Sequence, residues 1–113
     1  MQVNWRWIHA ARNSFAVLHA ACGREGLLLE PVDRPAADVT CYSLNSINAP
    51  AYRDEIAGAG CITIAGGPHA TACSREVAGY ADYVVVGEGE YTLPRLLKDL
   101  TKTTRSEKVR REI

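Results

Sequence analysis

TIAGGPHATACSREVAGYADYVVVGEGE, Thr63 to Glu90, holds two apolar runs that each break at glycine. The first opens into Gly66-Gly67-Pro68-His69 and the second into Gly87-Glu88-Gly89-Glu90. Short apolar runs bounded by glycine, with helix-like segments between and after them, read as buried parallel strands joined by crossover helices. The spacing predicts a strand over CITIA (61–65), a short helix from about Thr71 to Ala78 stopped by Gly79, and a strand over DYVVVG (82–87). Beyond the GEGE loop, Leu93, Leu96, Leu97 and Leu100 recur at i, i+3, i+4 and i+7, one stripe of a helix. Pro94 is expected in its first turn, where a missing N–H costs nothing, with Thr92 or a neighbour as cap.

Working toward the N-terminus, DVTCYSL (38–44) is a third strand, and Asn45 to Ala49 a polar loop. Pro50 opens a helix in which Tyr52 and Ile56 share a face, closed by Gly58 and Gly60. QVNWRWI (2–8) alternates, with Val3, Trp5 and Trp7 on one side and Asn4 and Arg6 on the other. A helix capped by Asn13 or Ser14 follows, burying Phe15, Leu18 and Cys22 and ending at Gly23 and Gly26. LLLEPV is a second strand, stopped by Pro31 and Pro35. The order is β-α-β, then β-α-β-α-β-α. Near-continuous apolar runs in strands three to five suit parallel strands covered on both faces. The expected fold is a flavodoxin-like, doubly wound, five-stranded parallel sheet of strand order 2-1-3-4-5. Strand one is the misfit: it belongs at the centre, yet it has a polar face. Either that face is thinly covered or a helix supplies partners.

The 113 residues are enough for one domain, placed at 1–100, and 47% hydrophobic composition supports a modest core. Residues 101–113 contain five Lys/Arg and two Glu and read as a charged extension or linker. Zero net charge gives no signal for nucleic acid. No apolar run reaches the ~20 residues of a membrane span, and the start has no signal-peptide core. A cytoplasmic protein with reduced cysteines is the expectation. Cys22, Cys41, Cys61 and Cys73 are too widely spaced for a zinc finger. His69 and Cys73, four apart, could share a helix face, but the sequence is read as holding no metal site.

Ligands of such sheets bind beyond the carboxyl ends of the strands, near the reversal of strand order. Three loops leave that edge with suitable residues: His9 to Arg12, Ser43 to Asn48, and Gly66 to His69. The candidate binding residues are Ser43, Asn45, Gly66, Gly67, Pro68 and His69. Glu88 and Glu90 would repel an anion and suit the positive end of the following helix. No Ser-His-Asp or Cys-His arrangement is legible.

The run ITIAGGPHATACSREVAGYADYVVVGEGEYTLPRLL, with DVTCYSLN upstream, resembles the cobalamin-binding domain at the N-terminus of many radical S-adenosylmethionine enzymes. The resemblance covers residues 38–100 in sequence and 2–30 in layout. It implies that the Gly66-Gly67 turn lies along the nucleotide tail of cobalamin, with Ser43 hydrogen-bonding near it. Methionine-synthase-like members carry Asp-x-His-x-x-Gly after strand one, the His being the lower cobalt ligand. Here His9 stands near that place, but Trp7 replaces the Asp and Arg12 the Gly, so the acceptor that orients such a histidine is missing. His9 is expected at the rim, not on cobalt. The Cys-x-x-x-Cys-x-x-Cys motif for an iron–sulfur cluster is absent, so the cluster and S-adenosylmethionine would belong to a radical-enzyme domain in cis or trans. Two functions stay open: a non-catalytic cobalamin module, or a degenerate domain of the same fold that docks a partner or a second copy of itself. A phosphoacceptor domain would need acids where His9, Ser43 and Asn45 stand.

Overall fold

The chain is described by a computed structural model covering residues 1–106. Its five strands are β1 (Val3–Arg6), β2 (Glu30–Val32), β3 (Val39–Ser43), β4 (Ile62–Gly66) and β5 (Tyr83–Val84). All pair in parallel, in the order β2-β1-β3-β4-β5. The helices are α1 (Arg12–Gly23), α2 (Ala49–Ala57), α3 (Pro68–Ala72), α4 (Ser74–Val77) and α5 (Gly89–Ser106). The flavodoxin-like α/β architecture is therefore the one the alternation of strands and helices calls for.

Each face of the sheet has its own core, because successive side chains of a strand point to opposite sides. On one face Val3, Trp5, Val39, Cys41 and Ile64 meet Cys22 of α1 and Leu93, Leu97 and Leu100 of α5. Helices α1 and α5 pack side by side over them. On the other, Tyr42, Leu44 and Ala65 meet Ile56 of α2, Ala70 of α3 and Val77 of α4. Burial pushes the Cys22 thiol up to about 11, which keeps it a neutral core group.

The polar side of β1 is fully employed. The Asn4 amide, 2% exposed, donates to the carbonyls of Ala36 (2.9 Å) and Ala37 (3.0 Å), with that of Val39 at 3.1 Å. Arg6 reaches across to α2, where Nε donates to Glu55 Oε2 at 2.9 Å and the guanidinium lies 5.1 Å from the Tyr52 ring centroid. Tyr42 donates its hydroxyl to the same Glu55 oxygen at 2.7 Å. Burial would raise the Glu55 carboxyl, but the hydrogen bonds from Arg6 and Tyr42 outweigh it and hold the group below the ordinary range. The partners of the polar face thus come from the segment before β3 and from α2.

Local boundaries differ from expectation in physically instructive ways. Trp7 is not part of β1; it follows the strand, 39% exposed, with its ring edge-on to Phe15 at 5.5 Å. A 3₁₀ turn at His9–Ala11 leads into α1, so Asn13 and Ser14 lie inside the helix and no side chain caps it. Pro31 lies within β2, not after it, and an edge strand tolerates its missing N–H. The helix after Gly67 begins at once, at Pro68, and breaks at Cys73 into α3 and α4, with Ala78 in place of Gly79 as the final cap. β5 is two residues long. α5 starts at Gly89, inside the GEGE loop, which puts Pro94 in the helix interior and Thr92 within the first turns. Of the expected extension, residues 101–106 continue α5 and 107–113 lie outside the described residues. No described helix is long and apolar enough to cross a membrane.

Candidate functional site

A cleft of about 620 Å³ opens at the carboxyl edge of the sheet, where a doubly wound fold takes its ligands. Its floor is the end of the α1/α5 core: Trp5, Cys41, Ile64 and Val85, one from each of β1, β3 and β4 and one just past β5. Leu18 of α1 and Leu93 of α5 form one wall, and Pro68, Thr71 and Ala72 of α3 another. Burial raises the Cys41 thiol strongly, so this floor is uncharged.

The strands end in step. Ser43 pairs with Gly66 in the β3–β4 register, so both reach the cleft together. The next bonds lock the turn: Leu44 N–H donates to the Gly66 carbonyl at 2.9 Å, and His69 N–H to the Leu44 carbonyl at 3.0 Å. Between them Gly67 has φ +96° and ψ −179°, a conformation open essentially to glycine alone. A Cβ there would stand 2.7 Å from Leu44 O, 2.9 Å from Leu44 N and 3.0 Å from Ser43 Oγ. The bare Cα of Gly67 lets the β4 turn press onto the end of β3.

Of the expected binding residues, Ser43, Gly66, Gly67 and Pro68 line the cleft. Asn45 and His69 do not, and neither does His9, which was expected only at the rim. Asn45 builds its own loop: its Oδ1 accepts from the N–H groups of Ile47 (2.9 Å) and Asn48 (2.8 Å), while Asn48 Oδ1 accepts from Asn45 N–H at 2.9 Å. His9 sits exposed in the 3₁₀ turn. His69 turns to a different group of side chains, with Cys73 and Glu76.

The GEGE loop has a larger part than expected. Gly87 to Glu90 line the same cleft as Gly66 and Gly67. Gly87, at φ +84°, turns the chain, and its N–H donates to Thr71 Oγ1 at 2.9 Å, tying this loop to α3. Gly89 allows close packing, since a Cβ on it would lie 3.2 Å from Leu18 of α1. The rim therefore carries Glu88 and Glu90, and among the described residues the lining includes no Lys or Arg.

The floor also has an unused donor. Trp5 Nε1 is buried without an acceptor among the described residues. A buried donor left over by the fold's own hydrogen bonding, in a residue that lines a cleft, is a feature a ligand can use. The apolar floor, the Ser43 hydroxyl and this indole suit a flat, largely uncharged ring system bearing an acceptor. The sequence holds no direct signal for Trp5, Leu18 or Val85 as lining residues, because each also reads as ordinary core. Compared with protein-family models and with curated proteins, the chain finds a match in neither.

Proposed function

We propose that this chain is a cobalamin-binding module, non-catalytic by itself, that serves a radical S-adenosylmethionine enzyme domain in cis or trans. The observation that supports it most is the cleft, which lies where the resemblance puts the cofactor's nucleotide tail and is edged by both of the glycine motifs on which the resemblance rests. Ser43 and the Gly66-Gly67 turn would hold the tail, and Trp5, Cys41 and Ile64 would shield its ring system from water. Cobalamin supplies an alkyl-carrying cobalt centre when bound; the residues of this chain bind, orient and exclude water. His9 is outside the lining, which fits binding without a histidine ligand. A cytoplasmic setting belongs to the same reading.

A titration with hydroxocobalamin followed by visible absorbance tests it. Saturable spectral change with the parent is expected, and its loss in Ala72→Trp, which fills the cleft from an exposed position of α3. No spectral change up to millimolar protein refutes the proposal. The second reading, an interaction or dimerisation module of the same fold, is favoured by exposed apolar side chains at the same edge: Ile47 (88%), Tyr91 (86%) and Val86 (55%). Concentration-dependent association without cobalamin binding would select it.

A further inference from the structure

His69, Cys73 and Glu76 form a group that the cleft does not use. Each offers one ligand atom, and the three atoms all lie within 4.8 Å of one another. Positions i, i+4 and i+7 share one stripe of a helix. The ladder that enforces this runs through the α3–α4 junction: Cys73 N–H donates to His69 O at 2.8 Å and Val77 N–H to Cys73 O at 3.0 Å. Cys73 itself leaves the helical region (φ −122°, ψ 45°), so the two short helices meet at the sulfur-bearing residue. His69 and Cys73 are half-buried and Glu76 is exposed, which leaves the group open to solvent on one side. Glu76 is in no salt bridge among the described residues.

We propose that His69, Cys73 and Glu76 are a three-ligand site for a zinc-class divalent cation. The mixed imidazole, thiolate and carboxylate set suits zinc or cobalt(II), whereas calcium and magnesium take oxygen donors. Three protein ligands leave the fourth tetrahedral position to water. With bonds of about 2.0–2.3 Å, tetrahedral donors stand about 3.3–3.8 Å apart, so side-chain rotation must draw the three together by about 1 Å from the 4.8 Å limit. Binding releases the thiol proton of Cys73 to solvent as the sulfur–metal bond forms. The bound metal would fasten α3 to α4. Neither His69 nor Cys73 lines the cleft, so the site stands whether or not cobalamin binds there.

The test is a cobalt(II) titration of the reduced, metal-free full chain without cobalamin. One equivalent should produce a thiolate-to-cobalt charge-transfer band in the near ultraviolet and intense visible bands of tetrahedral geometry, both erased by zinc. Cys73→Ser should abolish the charge-transfer band. His69→Ala and Glu76→Gln should each weaken zinc binding by at least about 10-fold, the lower end of what perturbing even a supporting residue costs. Cys61→Ser, a control at a half-buried cysteine outside the group, should bind as the parent does. A missing charge-transfer band, a band that survives Cys73→Ser, or one that disappears in Cys61→Ser overturns the proposal.

Discussion

Replacing Gly67 by alanine tests whether this one residue ties the two central strands together. Two penalties act at once. The backbone at φ +96° and ψ −179° costs a residue with a Cβ about 1–3 kcal/mol. The new methyl would also stand 2.7 and 2.9 Å from the backbone oxygen and nitrogen of Leu44. Those atoms are not free to retreat, because they hold the hydrogen bonds to Gly66 O and from His69 N–H. Relieving the overlap means loosening one of them, about 0.5–1.5 kcal/mol more. The sum is about 1.5–4.5 kcal/mol, or roughly 6–18 °C in midpoint at about 4 °C per kcal/mol. Two controls separate the penalties. Gly87 has φ +84° but open space around its Cα, so Gly87→Ala isolates backbone strain, about 1–2 kcal/mol. Gly60 has open space and no positive φ, so Gly60→Ala should be neutral or slightly stabilising. Urea unfolding followed by circular dichroism reads all three. Gly67→Ala within 0.5 kcal/mol of the parent, or costing less than Gly87→Ala, refutes the reasoning.

Further expectations follow from the cores and the helix ends. Glu55 is ordinary, near 4.5, in the unfolded chain and lower when folded, so the unfolded state takes up its proton first as pH falls. Its contribution is whole above about 4.5 and lost as pH drops through the folded value; the urea midpoint of Glu55→Gln should accordingly fall less steeply below that pH than the parent's. Leu97, fully buried between α5 and the sheet, should cost about 2–5 kcal/mol on truncation to alanine, measured by the same unfolding. Glu88→Gln, at the start of α5, should cost about 0.3–1 kcal/mol, an effect that should shrink in high salt. Anaerobic reconstitution with iron and sulfide should leave the chain colourless; a stable four-iron absorbance band would contradict a module without its own cluster.

Periodicity made the sheet order legible, because βαβ units of these lengths leave few topologies to choose from. The ends of the elements were harder to read. A helix entering from a strand needs no side-chain cap when the turn's backbone supplies its bonds, so Asn13 and Ser14 misplaced the start of α1. Pro94 pointed to a helix starting at its own first turn, yet the chain enters α5 five residues earlier, at Gly89. The cleft divides in the same manner. Ser43 and Gly66 were legible because strand ends are where such folds bind. Trp5 and Val85 were hidden, since a residue that lines a ligand site and one that fills a core have the same alternation. Asn45 lies outside the cleft lining, its side chain engaged by its own loop, because a loop's own hydrogen bonds and a ligand's draw on the same side chains. Glu76 was missed as a partner of His69 and Cys73 because a carboxylate on a short helix is indistinguishable in sequence from a solvated one.

The cleft floor is made of Trp5, Cys41, Ile64 and Val85, which also belong to the α1/α5 core. The site is therefore a place where the hydrophobic interior stops short of closing. Any molecule that fills it becomes, thermodynamically, part of that interior, and occupancy and folding become one equilibrium. At a ligand concentration 100 times its dissociation constant the folded state gains about 2.7 kcal/mol. If a ligand does occupy the cleft, the domain would be less stable empty than filled.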